Sequence, residues 1–192
     1  MYSIARIHPE KKGIRVLGIA ESSKAGTRSF LAGVVMRRDL VIDGLVFGRA
    51  TIAGDDATDE ILAMYRSLER DDVVCMLIGG LVISMYNIID GEKIYNETGI
   101  PIIAVTYEES LGLESSIKAR FPNWEEKIAL YAKLGPRERI VLKTGKNLFI
   151  RCWGISQRNA ISILNSFTLQ GSLPDPIRVA RLAARSLSTT ML

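Results

Sequence analysis

A chain of 192 residues, 47% hydrophobic and 24% charged, is long enough to bury a core unaided and too evenly mixed to be disordered or fibrous. Its two cysteines, Cys75 in an apolar run and Cys152 beside Trp153, lack a CxxC spacing, which excludes a disulfide framework and leaves two buried thiols in a reducing cytoplasm as the expectation. The net charge of +4 permits an anionic partner without requiring one.

Residues 1–12 carry no apolar core of signal-peptide length, and no later run approaches the roughly 20 residues of a membrane span. The expectation is one domain over 1–192, with residues 1–12 an extended leader and no membrane partner. Ile14–Ala20 reads as a first strand, apolar on both faces toward its end as a central strand is. Ser29–Met36 follows as a second strand. Arg37-Arg38-Asp39 is a connection of hairpin length, and Leu40–Ile52 is a third strand interrupted at Asp43-Gly44. From Asp56 the period turns helical, with Ala57, Ile61, Met64, Tyr65 and Leu68 on one face and acidic residues at the start, where the helix dipole favours them. Val73–Gly79 is a fourth strand, Asn87–Thr98 a helix stopped by Gly99, and Pro101–Thr106 a fifth strand.

Three antiparallel strands followed by two right-handed crossovers predict a mixed five-stranded α/β sheet of order 3-2-1-4-5, the ribonuclease H-like arrangement, with helices on both faces. The remainder reads as α-rich: a helix spaced by Leu113, Ile117 and Phe121, another capped by Asn123 with Glu126 in a capping box, and a strand pair, Arg139–Lys143 with Leu148–Trp153. A helix capped by Ser156 and a last one opened by Asp175-Pro176 complete the chain.

In such a sheet chemistry gathers where parallel strands end on one edge. The first strand ends in Ala20-Glu21 and the fourth in Gly79-Gly80, so that edge offers one carboxylate where a two-metal site wants several. The other candidate acids are Asp43, Asp56 and Asp90, each of which a helix cap or an exposed charge also explains. The lone histidine, His8, lies in the leader and excludes a histidine-based triad or zinc site built on the sheet. Glu21–Thr27 has hydroxyls and a lysine but not the GxxxxGK[ST] order, and it reads as a hairpin loop. Basic residues are the remaining signal. Arg178, Arg181 and Arg185 share one face of the last helix, and Lys24, Arg151 and Arg158 extend that set if the fold brings them near.

Val16-Leu-Gly-Ile19, Asp43-Gly44, Asp56-Ala-Thr58, Asn87-Ile-Ile-Asp90, Thr98-Gly-Ile-Pro-Ile102, Asn123-Trp-Glu-Glu126, Gly154-Ile-Ser156 and Leu173 to Ala183 resemble, in order, an archaeal family of domains of unknown function related to endonuclease V. The resemblance runs from about Lys12 to Leu187. It implies a ribonuclease H-like fold and an ancestral activity that cuts deaminated nucleic acid with Mg²⁺ and carboxylates. Relatives read Gly-Ile-Asp-Asp and Leu-Asp-Gly where this chain has Gly18-Ile-Ala-Glu21 and Ile78-Gly-Gly80, so two metal carboxylates are missing, at Ala20 and Gly79. The C-terminal histidine of endonuclease V has no counterpart either.

The leading expectation is a cytoplasmic endonuclease V-like domain that has lost metal-dependent cleavage, needs no cofactor and binds DNA or RNA through the basic residues. A second reading keeps a rearranged Mg²⁺ or Mn²⁺ site on Glu21 with Asp43, Asp56 or Asp90. A third is a non-catalytic interaction subunit using the apolar run Leu81–Tyr86.

Overall fold

The computed structural model describes residues 11, 13–24, 26–108 and 112–190; His8 and all of the expected leader but Lys11 lie outside them. Three strands open the chain: β1 (Arg15–Ser22), β2 (Arg28–Arg37) and β3 (Ile42–Thr51). Both pairings are antiparallel, and a register shift at Val35/Met36 leaves Asp43 as the extra residue of β3. This bulge is the physical form of the interruption that Asp43-Gly44 signals in the sequence.

Helix α1 (Ala57–Ser67) carries the chain to β4 (Val73–Gly79), which returns parallel to β1. After α2 (Gly91–Thr98), β7 (Ile102–Thr106) lies parallel to β4, so the expected order 3-2-1-4-5 holds for these five strands. The sheet is nevertheless seven-stranded. β9 (Asn147–Trp153) adds antiparallel to β7, and β8 (Glu138–Val141) closes the far edge, giving β3-β2-β1-β4-β7-β9-β8. The strand pair read as a separate hairpin thus extends the main sheet. Nothing in a hairpin's own residues says which edge it joins.

The helix expected over Asn87–Thr98 starts later than its sequence suggests. In place of a helix from Asn87, two short strands form, β5 (Val82–Ile83) and β6 (Asn87–Ile88), and α2 starts only at Gly91. The Asn87 amide explains the delay. Its Nδ2 donates to the Thr51 carbonyl (2.9 Å) and to Asp56 Oδ1 (2.7 Å), and its Oδ1 accepts from the Ala57 N–H (3.1 Å). Asp90 then caps α2, accepting from Lys93 N–H (3.0 Å), and Gly99 ends it in the left-handed conformation (φ 68°) as a helix stop should.

Period-two alternation divides the core. Val16, Gly18 and Ala20 of β1 face one side of the sheet, packed by α5 (Gln157–Ser166) and α6 (Asp175–Thr190). Leu17 and Ile19 face the other, packed by α1 and α2. The helical hairpin of α3 (Glu114–Arg120) and α4 (Trp124–Lys133) docks on this second side through Leu130, Tyr131 and Leu134. Helix α6 crosses β1 and β4 where side chains are absent: a β-carbon on Gly18 would lie 2.5 Å from the Pro176 carbonyl carbon. Ser156 caps α5 as expected, whereas Asn123 makes no side-chain cap bond to α4.

Candidate functional site

β1 and β4 are parallel neighbours, so Glu21 and Gly79 end on the same edge. A cleft of about 600 Å³ opens there, lined by Ala20, Glu21, Gly79, Ser84, Arg120 and Arg181 among others. One wall is the β5–β6 turn. Ser84, Met85 and Tyr86 all have positive φ (43°, 57° and 69°), a run of non-glycine residues in a sparsely populated region that only surrounding contacts can hold.

Those contacts are explicit. The Ser84 carbonyl accepts from Ala53 N–H at 2.7 Å, and its hydroxyl donates to Glu21 Oε1 at 2.9 Å and touches the buried Ser29 hydroxyl. Lys127, its side chain 3% exposed, reaches from α4 to the carbonyls of Gly54 (3.0 Å) and Tyr86 (3.3 Å) and to the Asp55 carboxylate. Arg120 stacks over Tyr86 (6.0 Å to the ring centroid), which meets Phe121 edge-on at 5.8 Å. Arg181 stacks over Tyr107 at 5.6 Å, so an aromatic face sets the direction of its guanidinium.

The carboxylates do not converge. Alternation turns Glu21 to the face of β1 opposite Ala20, toward Ser84. Asp43 lies at the other end of the sheet, beside the start of β1, held by Arg15 and by Arg70 at 3.1 Å; these guanidiniums, led by Arg15, keep its pKa below the usual carboxylate range against desolvation. Asp56 occupies the helix N-cap position but makes no cap bond. Its oxygens accept from the Thr51 N–H (2.9 Å), the Thr51 hydroxyl (2.6 Å) and Asn87. Burial pushes its pKa up, but these donors outweigh burial and leave it lowered. Asp90 caps α2 and pairs with Lys133 at 2.9 Å. Among the described residues no three His, Cys, Asp or Glu side chains come close enough together to hold a metal ion.

The basic residues separate as well. Arg181 lines the cleft and exposed Lys24 follows β1 at the same edge. Arg185 is exposed one turn beyond Arg181, on the same face of α6. Arg151 sits in an adjoining hollow of about 170 Å³ with Gly80, Thr106, Tyr131 and Arg137, its Nε donating to the Gly135 carbonyl at 2.8 Å; burial, then the charge of Arg137, lowers its pKa. Arg178 instead turns back to the carbonyls of Gln170 (3.0 Å) and Leu173 (3.1 Å). Arg158 is exposed in the first turn of α5, which begins at the end of the sheet where Trp153 pairs with Ile102, the start of β7. Sequence reasoning missed Arg120, Ser84 and Lys127. Arg120 has one signal, its place just before Phe121-Pro122, where a helix must stop.

The strand order, the parallel pairs β1–β4–β7 and the cleft at their common end define a ribonuclease H-like domain on the endonuclease V plan. The chain belongs to the endonuclease dU family, whose model matches residues 12–188. It is similar to a UPF0215 protein of Pyrobaculum calidifontis, 36% identical over 170 residues that cover 88% of this chain and 93% of the relative. Among solved structures it is similar to an Archaeoglobus fulgidus protein of unknown function, with a TM-score of 0.78 and 23% identity over 91% of this chain and 98% of that one. It is also similar to Ciona intestinalis endonuclease V in complex with an inosine-containing DNA, with a TM-score of 0.63 and 13% identity over 94% and 88% of the two chains. At these identities the structural likeness speaks for the fold. No helix among the described residues is long and apolar enough to cross a membrane.

The Mg²⁺ that the endonuclease V resemblance implies does not fit this cleft. Ala20 brings no side-chain oxygen, and a β-carbon on Gly79 would meet Ile177 Cγ2 at 2.9 Å. The remaining carboxylate, Glu21, is already bonded by Ser84, and two guanidiniums share the cleft with it. Mg²⁺ needs several oxygens in near-octahedral array, and this donor set supplies one carboxylate.

Proposed function

We propose that this chain is a nucleic-acid-binding member of its family that has given up two-metal cleavage, taking a strand along the edge cleft with Arg120 and Arg181 against backbone phosphates. The observation that carries this reading is the lining of the cleft: two aromatic-stacked guanidiniums and one carboxylate. Guanidiniums recognise phosphate by paired donors, and their charge makes binding salt-dependent through counterion release. Lys24, Arg151 and Arg185 extend the basic surface beyond the cleft. The family description and the inosine in the Ciona complex favour a deaminated strand as the ligand.

The test is fluorescence anisotropy with inosine-, uracil- and unmodified oligonucleotides over a salt series, for wild type, Arg120→Ala and Arg181→Ala. Affinity should fall log-linearly with salt, each variant lowering the slope by about one. Salt-independent binding, or no binding at low salt, refutes the reading. Incubation with Mg²⁺ or Mn²⁺ should leave every oligonucleotide intact. Strand cleavage that disappears in Glu21→Gln would establish the metal-dependent reading instead.

A further inference from the structure

We propose that two copies of this chain pair through β3, joining their sheets across a twofold axis that passes beside Val46. β3 is an edge strand of ten residues, and no described strand lies beyond it. It has neither lysine nor proline, the usual devices that blunt a sheet edge. Ile42, Leu45 and Phe47 are 48%, 51% and 49% exposed.

The ladder shows which backbone groups face outward. The Ile52 N–H donates to the Thr27 carbonyl at 2.9 Å, so Thr27–Ile52 and every second pair from it, including Gly33–Val46, exchange hydrogen bonds across β2–β3. Leu45, Phe47, Arg49 and Thr51 therefore turn N–H and C=O away from β2. Side chains satisfy the far end of this row: Asp56 accepts from Thr51 N–H, Asn87 donates to its carbonyl, and Arg28 donates to the Arg49 carbonyl. At the near end the Asp43 carbonyl accepts from Arg70. The outward groups of Leu45 and Phe47, in the middle, have no partner among the described residues.

One antiparallel register uses all four of these groups. With Val46 opposite Val46 of a second copy, Leu45 stands opposite Phe47 and Phe47 opposite Leu45, each pair exchanging two hydrogen bonds and packing apolar side chains on one face. On that face the second copy's Leu45 would border the apolar hollow of about 280 Å³ between Phe47, Phe30 and Leu187. The other face carries Arg70, which Asp43 (3.1 Å) and Asp72 (2.8 Å) hold within the chain, and Glu60, which accepts from the Arg49 N–H at 3.5 Å. Arg70 Nη1 lies 3.4 Å from the β-carbon position of Gly44, and Glu60 Oε2 lies 3.3 Å from that of Gly48. The same register sets Gly44 opposite Gly48, bringing Arg70 of each copy beside Glu60 of the other. The partner is thus a second copy of this chain, chosen by apolar and hydrogen-bonding matches that coincide in one register.

The test combines sedimentation analysis with cross-linking of the full-length chain. Wild type should sediment at twice the chain mass at micromolar concentration, and Leu45→Lys/Phe47→Lys at the single-chain mass with unchanged circular dichroism. Val46→Cys adds a readout of register, because opposed Cα atoms in a non-hydrogen-bonded pair are about 4.5 Å apart, within disulfide reach. Mild oxidation should convert Val46→Cys to a covalent dimer and leave wild type and Gly44→Cys uncoupled. A wild type that stays at single-chain mass at tens of micromolar, a two-chain species that survives the double lysine variant, or a Val46→Cys that does not couple would overturn the proposal.

Discussion

Ile177 Cγ2 stands 2.9 Å from where a β-carbon on Gly79 would lie, so any side chain placed at the end of β4 would press on the last helix. Gly79→Asp is expected to destabilise the fold by about 1–3 kcal/mol, the usual cost of overpacking a tight contact. Urea denaturation measures this, and Gly79→Asp/Ile177→Ala should recover part of the loss through the room it creates, net of the cost of shortening Ile177. If Gly79→Asp alone is neutral, α6 is free to move away from β4.

Lys127 is buried, and its ammonium serves two carbonyls and the Asp55 carboxylate. Lys127→Met keeps the packing of the stem but leaves those carbonyls without a donor. A loss of about 2–3 kcal/mol is expected, in the range of charge-assisted bonds whose partners stay buried. Lys133→Met, which breaks a more exposed pair with Asp90, should cost under about 1 kcal/mol. Parallel denaturation curves give the comparison.

Acid should weaken the fold through Asp56. Burial raises its pKa, but the Thr51 and Asn87 donors hold it below the ordinary value, so its contribution is complete above the unfolded carboxylate pKa of about 3.9 and disappears as pH falls through the lower native value. Unfolding free energy should therefore drop below about pH 4. Asp56→Asn should lower stability at neutral pH and flatten this acid limb, as unfolding curves from neutral pH down to pH 2 would record.

The arginines should separate by position. Arg178→Ala is expected to leave oligonucleotide affinity unchanged and to lower the melting temperature, because its guanidinium ties the carbonyls of Gln170 and Leu173 to the start of α6. Arg158→Ala should alter neither, whereas Arg181→Ala should weaken binding. An affinity loss in Arg178→Ala equal to that of Arg181→Ala would place the ligand on the outer face of α6 rather than in the cleft.

The sheet was legible because its strands carry their own signals. Val73–Gly79 is apolar throughout, and the alternation of Leu17 and Ile19 with Val16 and Gly18 marks a strand covered on both faces. What stayed hidden depends on partners distant in sequence. Asn87 leaves the helix because Thr51 and Asp56 claim its amide. Asp56 has the composition of a cap, but the end of β3 lies nearer its oxygens than the free amides of α1 do. Arg178, Arg181 and Arg185 are equivalent by helical period, and only the packing of α6 beside Tyr107 and the Gln170–Leu173 loop distinguishes them.

One amine, Lys127, joins the residues after β3, the turn after β5 and the fourth helix, segments that meet only once most of the chain has come together. Contacts of such wide sequence separation are costly to close early in folding. The β5–β6 wall of the cleft is therefore fixed late: a nascent chain holding only the first hundred residues has every carbonyl that this amine will bridge but not the amine, and the turn is tied down when the helical hairpin arrives.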